Sequence, residues 1–102
     1  MQINTTIREQ QALLLLAGCF DFNAHRDFRK AYDPVLEDAA VKELHINFAR
    51  VDYLDSSALG MLLILRDKVG EKGKTIVLTG LQGTIKQVLD IANFGKLFAI
   101  RD

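Results

Sequence analysis

A chain of 102 residues with 49% hydrophobic and 25% charged content has the size and make-up of one soluble domain with its own core, and not of a disordered or fibrous chain. Thirteen basic residues balance thirteen acidic ones, so no basic excess favours nucleic acid or an anionic membrane surface. Apolar runs such as Met61 to Leu65 and Ala12 to Ala17 fall far short of the roughly 20 residues that span a bilayer, and MQINTTIREQQ lacks the basic-then-apolar order of a secretory signal, so no direct membrane insertion and a cytoplasmic location are expected.

In chain order, Ile3, Thr5 and Ile7 alternate with Asn4, Thr6 and Arg8 at the period of a half-exposed strand, and Glu9-Gln10-Gln11 reads as a polar hairpin connection. Ala12 to Ala17 reads as a second strand that ends at Gly18, and its unbroken apolar character predicts burial on both faces. From Asn23 to about Ala40, Phe28, Ala31, Tyr32, Val35, Leu36 and Ala39 recur at helical intervals, with charged residues on the other side. Pro34 lacks an N–H and crowds the preceding turn, so a break is expected there, with Asp33 capping a second short piece. Leu44, Ile46 and Phe48 alternate as a third strand, followed by a loop from Ala49 to Leu54.

Beyond this loop the apolar residues are too continuous for a strand, which places the start of a helix near Ser56. Leu59, Met61, Leu62, Leu63, Ile64 and Leu65 cannot share one stripe of about 100°, so some must meet a second layer or an interface. Gly70 to Lys74 stops the helix and Thr75 to Thr79 reads as a fourth strand. Thr84 to Asn93 is a last amphipathic helix with Ile85, Val88, Leu89 and Ala92 inward, and Leu97 to Ile100 can close the sheet as a short strand. Strands alternating with helices after an initial hairpin imply one α/β domain over residues 1–102, with a mixed sheet and its helices gathered mainly on one face.

The strand-to-helix junction Asp55-Ser56-Ser57 carries the residue types whose oxygens accept from the unpaired N–H groups of a first helical turn. Such an end also tolerates an added anion, a phosphoryl group included, because its N–H donors and the positive pole of the helix dipole face outward. On residue types alone an ordinary cap is the commoner use of this pattern, and spacing does not choose between the two.

Catalytic and metal signatures are missing. His25 and His45 are the only histidines, and neither stands in a metal-ligand spacing. No GxxxxGK[ST] or GxGxxG loop is present, and Ser56 has no evident base, Asp55 alone being a poor activator, so neither an enzyme nor a cofactor is expected. The single cysteine, Cys19, cannot form an internal disulfide and reads as a small structural residue.

Leu54-Asp55-Ser56-Ser57-Ala58-Leu59-Gly60 resembles the Asp-Ser-Ser/Thr-Gly-Leu-Gly signature of STAS domains, the family of bacterial anti-sigma factor antagonists. Ala17-Gly18-Cys19-Phe20-Asp21 resembles that family's Gly-x-x-Asp turn, and Val88 to Ile91 with Phe94 to Phe98 resembles its last helix and closing strand. The resemblance covers nearly the whole chain and implies the STAS fold, a sheet of four or five strands with several helices. It further implies partner switching: binding to a serine kinase of the anti-sigma type, release when Ser56 is phosphorylated, and resetting by a PP2C-like phosphatase. Asp55 and Asp21 carry over as acidic neighbours of Ser56, with Ser57, Ala58, Leu59 and Gly60 as the docking turn. Ala58 stands where many members have Gly, adding a methyl where a partner's backbone approaches. The alternative that the resemblance implies is a constitutive STAS subunit of a transporter, docked by the same turn without phosphorylation.

Overall fold

The computed structural model describes residues 1–101. Alternation in the first segment produces strand β1 (Gln2–Arg8), which turns through Glu9 at φ 58° into the antiparallel strand β2 (Gln11–Phe20). A 3₁₀ turn at Phe22–Ala24 opens into helix α1 (His25–Glu37), which leads to β3 (Glu43–Leu54). Helix α2 (Ser56–Glu71) leads to β4 (Thr75–Thr79), and α3 (Gly83–Ile91), with a second 3₁₀ turn at Phe94–Lys96, leads to β5 (Ala99–Arg101).

The five strands lie side by side in chain order, and every neighbouring pair from β2 to β5 is parallel. Each crossover therefore steps one strand in the same direction, and the right-handed sense of such connections sends every helix to the same face. The mixed sheet with helices on one face expected from the sequence is the fold found. Its core lies between sheet and helices: Leu14 and Leu16 of β2, Leu44, Ile46 and Phe48 of β3, and Leu78 of β4 meet Phe28 and Tyr32 of α1 and Leu62 and Leu65 of α2. Phe28 anchors the seam between α1 and the sheet, its ring centroid 4.9 Å from that of Phe20 and 5.2 Å, edge-on, from that of Tyr32.

Several expectations are corrected. β2 is buried on one face only, since Leu13 points to the helix-free side and is exposed, while Leu15 is half-buried there. One-directional crossovers leave that face without a helix. β2 also continues past Gly18 to Phe20, because glycine at φ 98° absorbs a register shift against β3 between Gly18 and Cys19. The expected loop from Ala49 to Leu54 is the second half of β3, paired with β2 from Ala17↔Arg50 to Phe20↔Leu54; the register shifts break the alternation that would have revealed it.

Pro34 does not break α1. It sits in the last turn on the exposed side, where the Lys30 carbonyl that loses its donor can turn to water. Asp33 caps nothing and instead faces Arg29 one turn back at 3.4 Å. α1 ends at Glu37, α3 runs from Gly83 to Ile91, and β5 begins at Ala99 with Leu97 outside it.

The connection leaving β4 is tight. Asn47 Nδ2 donates to Thr79 Oγ1 at 3.2 Å while its Oδ1 accepts from the Ala49 N–H at 2.9 Å. Gly80 passes this latch at φ 69°, and a Cβ there would stand 3.0 Å from both Ala49 N and Asn47 Oδ1. Gly80→Ala combines left-handed strain with a backbone clash and is expected to cost roughly 1–3 kcal/mol, read as a fall in Tm of several degrees or more in a thermal melt.

Candidate functional site

Parallel pairing brings the carboxyl ends of β2 and β3 together. Phe20 is in register with Leu54, so the next residues, Asp21 and Asp55, leave the sheet side by side, and the Asp55 N–H donates to the Phe20 carbonyl at 3.3 Å. The loops that follow β2 and β3 therefore gather at this edge of the sheet. Residues thirty-four apart in sequence become neighbours through register alone.

Both carboxylates organise the chain that follows. Asp21 is extended, and its Oδ1 accepts from the Asn23 N–H at 3.0 Å, starting the 3₁₀ turn. Asp55 is likewise extended, and its Oδ1 accepts from the Ala58 N–H at 3.1 Å, capping α2. The capping expected of the Asp-Ser-Ser junction is thus performed by the aspartate, which frees the serine hydroxyls of that task. Ser56 is the first helical residue and is exposed, whereas Ser57 is half-buried. The N–H groups of Ser56 and Ser57 have no acceptor within the helix, as in any first turn, and give this end its partial positive charge.

α2 is apolar on two sides. Ala58, Met61, Leu62, Leu65 and Val69 face the core. Ser56, Gly60, Leu63 and Asp67, at intervals of four, three and four, form the opposite stripe, with Ile64 beside it. Leu63 is 37% exposed and Ile64 49%, so the apolar excess of the sequence is divided between a second layer and a free outer surface.

Of the residues singled out from the sequence, Asp21, Asp55, Ser56 and Ser57 meet at one sheet edge, and Leu59, half-buried, and Gly60, exposed, follow on α2. Ala58 is fully buried and its methyl belongs to the core, so the alanine that replaces the family's glycine adds nothing to the outer surface. Two residues escaped the sequence reading: Phe22, 72% exposed, directly after Asp21, and Tyr53, 53% exposed, two before Asp55. Nothing local in the sequence marks either one, since their exposure depends on what no other element covers, although bare aromatics often anchor a partner. Among the described residues no group of three or more His, Cys, Asp and Glu side chains could hold a metal ion, and no helix is long and apolar enough to cross a membrane.

A family model described as "Mlab, STAS domain" matches residues 3–100. The chain belongs to the STAS family. A STAS-domain containing protein of Pseudomonas aeruginosa (strain UCBPP-PA14) is 41% identical over 91 residues, which cover 89% of this chain and 88% of that one. The fold matches that of the Bacillus anti-sigma factor antagonist SpoIIAA. In its unphosphorylated form the TM-score is 0.76 at 20% identity over 99% of this chain and 88% of that one; in its phosphorylated form it is 0.75 at 19% identity over 99% and 92%. A sulfate transporter family protein of Wolinella succinogenes shares the fold with a TM-score of 0.73 at 16% identity, over 89% of this chain and 73% of that one.

Proposed function

We propose that this STAS protein is a non-enzymatic, phosphorylation-controlled partner-switching regulator of the anti-sigma factor antagonist kind. With Ser56 unmodified it binds a serine kinase of the anti-sigma type; phosphorylation of Ser56 releases that partner, and a PP2C-like phosphatase resets the switch. The observation that carries this reading is the placement of an exposed Ser56 hydroxyl at the head of a helix whose outer stripe bears exposed Leu63 and Ile64. The reading also draws on SpoIIAA, a protein of this fold solved in both unphosphorylated and phosphorylated forms.

A phosphoserine brings about −1.5 to −2 charge. The helix N-terminus offers it roughly half a positive charge, but Asp55 and Asp21 already stand at this edge and Asp55 has taken the Ala58 N–H. These two carboxylates oppose a third anion on the protein side, which leaves the phosphate to water. A partner packed on Leu63 and Ile64 must strip that water away, and the desolvation cost falls on the complex.

The test is binding by the full chain to its kinase partner, captured from native lysate and then purified. Ser56→Ala is expected to bind as wild type and to persist in the complex with ATP present, while Ser56→Asp is expected to bind more weakly with its thermal melt unchanged. Equal binding by Ser56→Asp and wild type refutes the switch.

A second reading, a constitutive STAS subunit of a transporter, draws on the fold shared with the sulfate transporter family protein. It uses the same outer stripe of α2 as a fixed dock and requires that cells contain no Ser56-phosphorylated form.

A further inference from the structure

Sheets of parallel strands are nearly always covered on both faces, yet β2 to β5 carry helices on one face only. The bare face has an apolar centre: Leu13, 37% exposed, and half-buried Leu15 both lie outside the core cluster. On its far side Val77 is buried although it too lies outside that cluster. Val77 is covered within the chain, and on that side Arg101 of β5 reaches across β4 to Glu43 of β3 at 3.3 Å. No such device screens Leu13 and Leu15 of β2.

The rows that cross β2 are self-complementary. Arg8 on β1 and Glu43 on β3 flank β2 at the level of Gln11. Thr6 and His45 flank Leu13, and Asn4 and Asn47 flank Leu15. A two-fold axis laid along β2, between two sheets packed face to face, keeps each row at its own level and exchanges its ends. Leu13 and Leu15 then meet their own counterparts, Arg8 of each copy faces Glu43 of the other, Thr6 faces His45, and Asn4 faces Asn47. Glu43 already holds Arg101 of its own chain at 3.3 Å, so each Arg8 meets a carboxylate shared with a second guanidinium, and a formal net charge of zero imposes no long-range repulsion between copies.

We infer that the helix-free face of the sheet is a homodimer interface, occupied by a second copy of this chain with its two-fold along β2. α2 packs on the opposite face, so the dimer carries two free Ser56 sites, and the inference stands whether or not Ser56 is phosphorylated.

The experiment is sedimentation equilibrium on the full chain across the micromolar range. The wild-type mass is expected to rise with concentration toward twice the 11.4 kDa protomer mass. Leu15→Glu is expected to remain monomeric while keeping a cooperative melt. Arg8→Glu and Glu43→Arg are each expected to weaken association at least tenfold, since each opposes like charges twice. Mixing these two variants restores opposite charges at both contacts and is expected to return the dimer to near wild-type strength. Glu43 also bonds His45 and Arg101 in its own chain; if Glu43→Arg fails to fold, Arg8→Glu at an exposed position carries the test with Leu15→Glu. A wild-type chain that stays monomeric throughout overturns the inference, as does a dimer indifferent to Leu15→Glu and Arg8→Glu, or folded single variants that stay monomeric when mixed.

Discussion

Ile46→Asp is expected to abolish the cooperative thermal transition of this protein, leaving a chain with no resolved melt by circular dichroism. Ile46 is 0% exposed in the first half of β3. It is in register with Leu14 of β2 on one side and Leu78 of β4 on the other, both fully buried, beneath the helix layer. Aspartate there loses the packing of an isoleucine, about 2–5 kcal/mol by comparison with truncation to alanine. It also places a carboxylate among hydrocarbon with no cation within the core, a further cost of several kcal/mol. Domains of this size are stable by only about 5–15 kcal/mol. Ile46→Val keeps shape and polarity and is expected to cost roughly 0.5–1.5 kcal/mol with a sharp transition retained. A wild-type melting temperature for Ile46→Asp would show that β3 is not an interior strand.

The contrast between Ile46 and Leu13 shows which parts of the fold could be read in advance. Leu44, Ile46 and Phe48 alternate with His45 and Asn47, and that period fixes both the strand and its buried side. Leu13 stands in the run Ala12 to Ala17, where every residue is apolar and period says nothing about sides; only the direction of the crossovers decides that Leu13 faces outward. The second half of β3 was hidden for another reason, since its pairing with β2 shifts register twice and no simple period survives. Pro34 is tolerated because the rule against proline holds for helix interiors, and in the last turn of α1 the lost hydrogen bond is cheap.

The site divides in the same way. Asp55 as the cap of α2 was legible because capping depends on residue types a few positions apart. That Asp21 stands beside it depends on a register between strands, and the exposure of Phe22 and Tyr53 depends on what no other element covers. Neither has a local signature. The resemblance to STAS domains supplied Asp21, and no pattern supplied the two aromatics.

A serine kinase of the matching type is expected to place a single phosphate on this chain, at Ser56 and not at Ser57. The helix N-terminus favours an anion at either residue, so its field does not discriminate. Access does. Ser56 is exposed at the head of the outer stripe of α2, while one residue on, a rotation of about 100° leaves Ser57 half-buried between Ser56 and the fully buried Ala58. A kinase must bring the serine oxygen in line with the transferred phosphoryl group, a geometry that an exposed hydroxyl reaches without distorting the helix. Ser56→Ala is therefore expected to abolish labelling, and Ser57→Ala to leave most of it. Phosphate on Ser56 is also expected to weaken the kinase-partner complex by roughly a hundredfold, which corresponds to about 2.7 kcal/mol. That is within reach of an anion repelled by Asp55 and Asp21 and stripped of water against Leu63 and Ile64. Peptide mapping after labelling, with titration of the phosphorylated chain against its partner, checks both parts. A phosphate mapped to Ser57, or shared equally between the two serines, would move the docking turn one residue along α2 and turn its outer stripe by about 100°, away from Leu63.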